Sequence, residues 1–151
     1  MPLDRDVELD ELYREIILDH YRNPRNRGSL DEPSASGEGD NPLCGDEVKL
    51  EVAIQGDRVA GVRFLGRGCS ISQASASMLT QAVMGLSLEE VEALFESFKA
   101  MMYGSDQVDP ESLGDLEALQ GVRKFPVRVK CATLPWNVLQ EALEQYRKAK
   151  T

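Results

Sequence analysis

Three observations predict a chain of helices gathered around an antiparallel β-hairpin. Apolar and polar residues alternate from Glu47 onward, Gly56-Asp57 offers a tight turn, and apolar residues recur at helical spacing on both sides of that region. At 151 residues the chain has single-domain length, taken as 1–151, and needs no disulfide staples to bury a core.

Leu9, Leu12, Tyr13, Ile16, Ile17 and His20 fall on one stripe of a first helix. It should stop at Asn23-Pro24, because proline disfavours helical angles in the residue before it. His20, the only histidine, lies on that stripe and is read as a packed core residue in preference to a metal ligand. Residues 28–43 are rich in Gly, Pro, Ser and acids without periodicity, and predict a flexible surface loop leading to Cys44.

Val48, Leu50, Val52 and Ile54 then point one way, with Lys49, Glu51, Ala53 and Gln55 opposite, as in a half-buried strand. By the same parity Cys44 and Asp46 lie towards the buried face. A second strand, Arg58 to Leu65, returns the chain to the level of Cys44 and brings Cys69 near it.

Beyond Cys69, the residues Ile71, Ala74, Met78, Leu79 and Ala82 make the inward stripe of a helix interspersed with serines. Ser87 and Glu90 form a capping box for the next, whose stripe is Val91, Leu94, Phe95, Phe98 and Met102. Met101, Met102 and Tyr103 are read as core filling rather than a contact surface. Asp109-Pro110 starts a short helix that Gly121 ends. The last helix is placed from near Cys131, with Pro135 in its first turn and Trp136, Leu139, Leu143 and Tyr146 inward. Cys69 and Cys131 would then both lie at helix N-termini, where unpaired N–H groups favour a thiolate.

Charge and motifs exclude several function classes. A formal net charge of -9 argues against nucleic-acid binding, which requires a basic surface. Arg22, Arg25 and Arg27, and again Arg123, Lys124, Arg128 and Lys130, form basic groups read first as solvated surface, the alternatives being a face for an acidic partner or an offset to the charge of a metal site. No signal peptide and no membrane span are predicted, and three cysteines without a secretory signal fit a reducing cytoplasm. No phosphate-binding glycine loop, Ser/His/Asp set, His-Glu-x-x-His helix or internal repeat is recognised.

The chemistry concentrates at Cys44-Gly45-Asp46. Residues two apart in extended backbone share a face, so a thiol and a carboxylate aim at one point, where a cation would relieve their repulsion. With Cys69 and Cys131 they supply four ligands, the number tetrahedral zinc takes. The alternative is three unrelated buried cysteines, and no Cys-x-x-Cys pair decides between the two.

Four stretches extend this pattern over nearly the whole chain: Leu12-Tyr13-Arg14 with Asp19-His20-Tyr21-Arg22-Asn23-Pro24-Arg25-Asn26, Asn41-Pro42-Leu43-Cys44-Gly45-Asp46, Gly68-Cys69-Ser70-Ile71-Ser72-Gln73-Ala74-Ser75, and Val129-Lys130-Cys131-Ala132-Thr133-Leu134. In these the chain resembles the U-type iron-sulfur cluster assembly family (IscU/NifU-like). The resemblance implies an α+β fold, a small antiparallel sheet packed against helices, with Cys44, Asp46, Cys69 and Cys131 converging at one end as ligands of Zn2+ or, alternatively, of a [2Fe-2S] cluster. Lys130 stands where scaffold members carry a histidine, Phe125-Pro126-Val127-Arg128-Val129 replaces their chaperone-docking stretch, and residues 101–121 form an extra segment. These departures resemble the SufU branch.

That branch implies a zinc-dependent sulfurtransferase, a sulfur carrier rather than a stand-alone enzyme. It would take persulfide sulfur from a SufS-like cysteine desulfurase on Cys44 and pass it to a downstream cluster assembly scaffold. The alternatives are a scaffold for a [2Fe-2S] cluster on the same ligands, and a zinc-stabilised interaction module. Cys44 is the acceptor candidate because a mobile glycine-rich loop feeds it. Arg67 and Lys130 are placed to offset the site's formal charge of about -2 with zinc bound. Arg22, Arg25, Arg123 and Arg128 are candidates for the desulfurase surface. No nucleic-acid or membrane partner is expected.

Overall fold

The predicted hairpin is the centre of a three-stranded antiparallel sheet in the order β1-β2-β3, formed by Ala35–Asn41, Asp46–Gln55 and Arg58–Arg67. The computed structural model describes the backbone of residues 2–104 and 110–150, and side chains over 11–104 and 113–149. Leu50 faces Phe64 and Val48 faces Gly39 across the ladders. An extra residue, Ala60, enters β3 where the register shifts, so that Val59 and Val62 both face the core.

The first departure from expectation is β1. Residues 35–41 lie inside the stretch predicted as flexible loop, yet they pair with β2 along their whole length. Their glycines serve close approach rather than a turn. A Cβ on Gly37 would lie 2.9 Å from the carbonyl of Val138, and one on Gly39 would lie 2.7 Å from Cγ2 of Val138. The last helix packs directly onto this strand.

Four α-helices surround the sheet: α1 Pro2–Arg22, α2 Ser70–Val83, α3 Leu88–Met102 and α4 Pro126–Lys150. The helix α1 ends beside Asn23-Pro24 as expected. Ile16, Ile17 and Tyr13 pack on the core, whereas Leu12 is exposed and Leu9 lies outside the described side chains. On α3 the Ser87–Glu90 capping box forms in both directions. Met101 and Met102 are buried while Tyr103 is exposed.

The helix α2 is buried nearly all round, and its small residues let α1 and α4 approach it closely. Its buried hydroxyls each find a partner. Ser75 donates to the carbonyl of Ala132 at 2.6 Å, Thr80 donates to the carbonyl of Ser77, and Ser77 lies 2.8 Å from Nδ1 of His20. His20 Nε2 meets Asp115 Oδ2 at 2.8 Å. A Ser-His-Asp chain is therefore present where the sequence suggested none. Ser77 is fully buried and also accepts the backbone N–H of Arg25, so the chain is a core latch that joins three elements.

Between α3 and α4, residues Pro110–Lys124 form 3₁₀ turns interrupted at Gly114, whose φ is +61. They run past Gly121, the expected end, and Asp109, the expected cap, lies outside the described residues. Leu113, Leu116, Ala118 and Leu119 are buried, so the described part of the segment 101–121 contributes to the core, and Val122 just beyond it does so too. Trp136 on α4 is buried and stacked between Phe95 and Phe98, at centroid distances of 5.7 and 5.1 Å.

The start of α4 also differs. Pro126, not Pro135, occupies the first turn, because a proline is tolerated only where the N–H would have no intrahelical partner. Cys131 consequently lies in the second turn and not at a helix N-terminus, while Pro135 sits inside the helix.

Candidate metal centre

The site forms where the β1–β2 turn, the start of α2 and the second turn of α4 meet. Asn41 pairs with Asp46 across the hairpin, leaving Pro42-Leu43-Cys44-Gly45 as a tight turn. The N–H of Cys44 donates to the carbonyl of Asn41 at 3.2 Å, and Gly45 has a φ of +68, which a glycine adopts freely. Cys44 is thus held in a hairpin turn rather than at the end of a mobile loop. It remains half-buried beside Leu43, which is 71% exposed.

Cys44, Asp46 and Cys131 present ligand atoms that all lie within 4.8 Å of one another, with the two sulfurs 3.1 Å apart. Cys131 and Asp46 are fully buried. Cys69 is the N-cap of α2, as its position after β3 suggested, and its backbone N–H donates to Oδ1 of Asp46 at 2.8 Å. Its thiol falls outside that group of three. Of the four expected ligands, three therefore converge and the fourth adjoins them.

Gly68 makes this junction possible. Its φ of +141 is one a side chain rarely adopts, and an added Cβ would strike Oδ1 of Asp46 and come within 2.7 Å of its Cα. Asn41, which composition alone did not mark as functional, is buried and donates its side-chain amide to Sγ of Cys131 at 3.6 Å. Its place just ahead of the Cys44 turn was the available signal.

Burial pushes the Asp46 carboxyl up, but the Cys69 N–H and the thiols of Cys131 and Cys69 outweigh it and hold it below the usual carboxylate range. Burial, aided by Cys44, Asp46 and Cys69, pushes the Cys131 thiol far above the usual thiol range. Arg128 is the cation that responds to the thiols. Attraction first to Cys69, and then to Cys131 and Cys44, favours its charged form. Of the two cations expected from sequence to offset the site's charge, Arg67 is engaged elsewhere and Lys130 is exposed. Arg67 forms a two-pronged pair with Glu47 at 2.9 and 3.2 Å, and Lys130 lines a separate groove with Met102, Tyr103 and Arg123. Arg25 pairs with Asp19, and Arg123 donates to the carbonyl of Met101.

The donor set fits a thiophilic divalent ion. Sulfur with one carboxylate suits zinc, and Oδ2 of Asp46 is buried with no hydrogen-bond partner among the described residues. A buried carboxylate oxygen in that state is costly unless a cation approaches it. His20, held on both ring nitrogens away from this cluster, is not part of it.

Comparisons with known proteins place the chain in a family. Residues 12–132 match the family model described as the NifU-like N terminal domain. The chain is 49% identical over 137 residues to the zinc-dependent sulfurtransferase SufU of Bacillus subtilis, covering 91% of this chain and 92% of that protein. It is 43% identical over 138 residues to the iron-sulfur cluster assembly scaffold protein IscU of Streptococcus pyogenes, covering 91% and 86%. The crystal structure of FiSufU from Fervidobacterium islandicum superposes with a TM-score of 0.81 at 35% identity, over 85% of this chain and 94% of that one. With its three free cysteines and buried aspartate gathered at one end of an antiparallel sheet, the chain belongs to the NifU-like N-terminal domain family.

Proposed function

We propose that the chain is a zinc-dependent sulfurtransferase of iron-sulfur cluster biogenesis, which accepts persulfide sulfur from a cysteine desulfurase on Cys44 and hands it to the cluster assembly machinery in the cytosol. The observation that carries this is the unequal access to two adjacent sulfurs. Cys44 stands in an open turn, with free space where a Cβ on Gly45 would lie, while Cys131 is fully buried behind it. The name of the Bacillus subtilis relative supports the same reading.

Cys44, Asp46, Cys69 and Cys131 would hold the Zn2+. When bound, the ion keeps thiols deprotonated near neutral pH and offsets their charge. Everything else falls to the chain's own residues. The Cys44 thiolate attacks the outer sulfur of the donor persulfide, the donor S–S bond breaks, and the donor cysteine leaves as a thiolate. The Cys69 N–H keeps Asp46 ionised and in place, and Arg128 balances negative charge at the mouth of the site. Cys69 is also half-buried, but its backbone is fixed at both sides. Its N–H is given to Asp46 and its carbonyl accepts from Gln73 and Ser72.

Reaction with desulfurase and cysteine, followed by peptide mass spectrometry, tests the assignment. One added sulfur on Cys44 is expected, and sulfur found mainly on Cys69 or Cys131 overturns it. A scaffold holding a [2Fe-2S] cluster is the second reading, favoured by the sulfur-rich donors and by the name of the Streptococcus pyogenes relative. Anaerobic reconstitution with iron and sulfide that yields a stable cluster able to move to an apo-acceptor would put it first.

A further inference from the structure

We infer that Cys131 is a resolving cysteine: in the metal-free chain it releases the sulfur carried by Cys44 as hydrosulfide, closing a Cys44–Cys131 disulfide. The inference rests on the reading of Cys44 as sulfur acceptor and adds an activity to it, the reduction of the carried sulfur. Three features of the site support it.

The first is distance. The two sulfurs are 3.1 Å apart, and an S–S bond of about 2.05 Å requires an approach of only about 1 Å more. The second is direction. Cys131 is fully buried and Cys44 half-buried, and a sulfur added on the exposed side of Cys44 would leave the inner sulfur facing Cys131. Attack along that line reaches the inner sulfur and expels the outer one, whereas mere transfer would require the outer sulfur to turn inward. The third is support. Asn41 holds both partners, accepting the N–H of Cys44 through its carbonyl and donating its side-chain amide to Sγ of Cys131.

The step balances without a further reagent. The Cys131 thiol and the Cys44 persulfide anion give the disulfide and HS⁻. The Cys131–Cys44 sulfur bond forms and the bond from Cys44 to the outer sulfur breaks. The outer sulfur gains two electrons, the two cysteine sulfurs lose one each, and the thiol proton leaves on the hydrosulfide. Among the described contacts, the sulfur that meets Sγ of Cys44 is that of Cys131 and not that of Cys69. An ion on the site would compete for Cys131, so release belongs to the metal-free chain.

The test loads the metal-free chain with inorganic polysulfide under anaerobic conditions without reductant, removes the excess, and follows released sulfide and intact mass. The wild-type chain is expected to load Cys44 and then lose that sulfur as one equivalent of sulfide, leaving a cross-linked Cys44–Cys131 peptide. Cys131→Ser should retain the sulfur on Cys44 with release slowed by about tenfold or more, and Cys69→Ser should still release it. A wild-type chain that loads Cys44 but keeps the sulfur, or releases it as fast as Cys131→Ser, overturns the inference while leaving the acceptor reading intact. Failure of Cys44 to load in either metal-free chain also overturns the inference, whereas the acceptor reading falls only if the zinc-loaded chain takes no sulfur on Cys44 from the desulfurase. The cross-linked peptide is read in the unmutated protein and so does not depend on how a variant folds.

Discussion

Cys69 donates its backbone N–H to Oδ1 of Asp46 at 2.8 Å, so the first residue of β2 and the cap of α2 share one carboxylate. Replacing Asp46 by Asn keeps an acceptor for that bond and removes the charge. Metal affinity measured by chelator competition should fall by roughly tenfold or more, since losing even a supporting partner weakens a metal site by that much. The metal-free chain should also change its acid limb. A carboxyl held low in the fold contributes stability above its unfolded value, and the contribution is lost as pH falls through the lower folded value. Wild type should lose stability on acidification below the usual carboxylate range, and Asp46→Asn should flatten that loss.

Gly68→Ala tests the same junction through shape. The new methyl would meet Asp46 while the backbone is forced into a region side chains avoid. A loss of about 1–3 kcal/mol in denaturant unfolding is expected, together with weaker metal binding. An unchanged midpoint would mean that Asp46 is free to move aside.

The latch at His20 should matter for stability alone. Ser77→Ala leaves Nδ1 of His20 and the N–H of Arg25 without their buried partner, at a cost of about 1–3 kcal/mol. Metal content per folded chain should be unchanged, and both can be read from thermal unfolding and metal analysis of one sample.

Arg128 acts through charge at an exposed position. Arg128→Ala should slow sulfur acceptance from the desulfurase by about threefold at low salt, and the difference should shrink as salt screens the interaction. Arg128→Lys should recover most of it. Equal effects at all salt concentrations would point to a lost contact rather than a lost field.

Much of this arrangement was legible in the chain because local chemistry and tertiary placement agree. The alternation from Val48 to Val52, the turn at Gly56 and the Ser87–Glu90 box each specify their element by themselves. The strand β1 was hidden because Gly37 and Gly39 look like turn residues until α4 is seen resting on them. The start of α4 was ambiguous between two prolines, and only packing shows that Pro126 opens it. For the site, parity placed Asp46 and the strand end placed Cys69. The roles of Asn41 and Arg128 toward the sulfurs were not assigned: Asn41 reaches Cys131 across 90 residues of chain, and the i, i+3 relation of Arg128 to Cys131 follows only once α4 is known to start at Pro126. The same limit applies to the Ser77–His20–Asp115 chain, whose members come from three separate elements.

The most direct test of sulfur acceptance at Cys44 is the steady-state rate of the cognate cysteine desulfurase with excess cysteine and no added reductant, with and without the zinc-loaded chain. A large acceleration by the wild-type chain that disappears with Cys44→Ala is the predicted result. A desulfurase rate that the chain leaves unchanged, or that Cys44→Ala raises as much as wild type does, would contradict it.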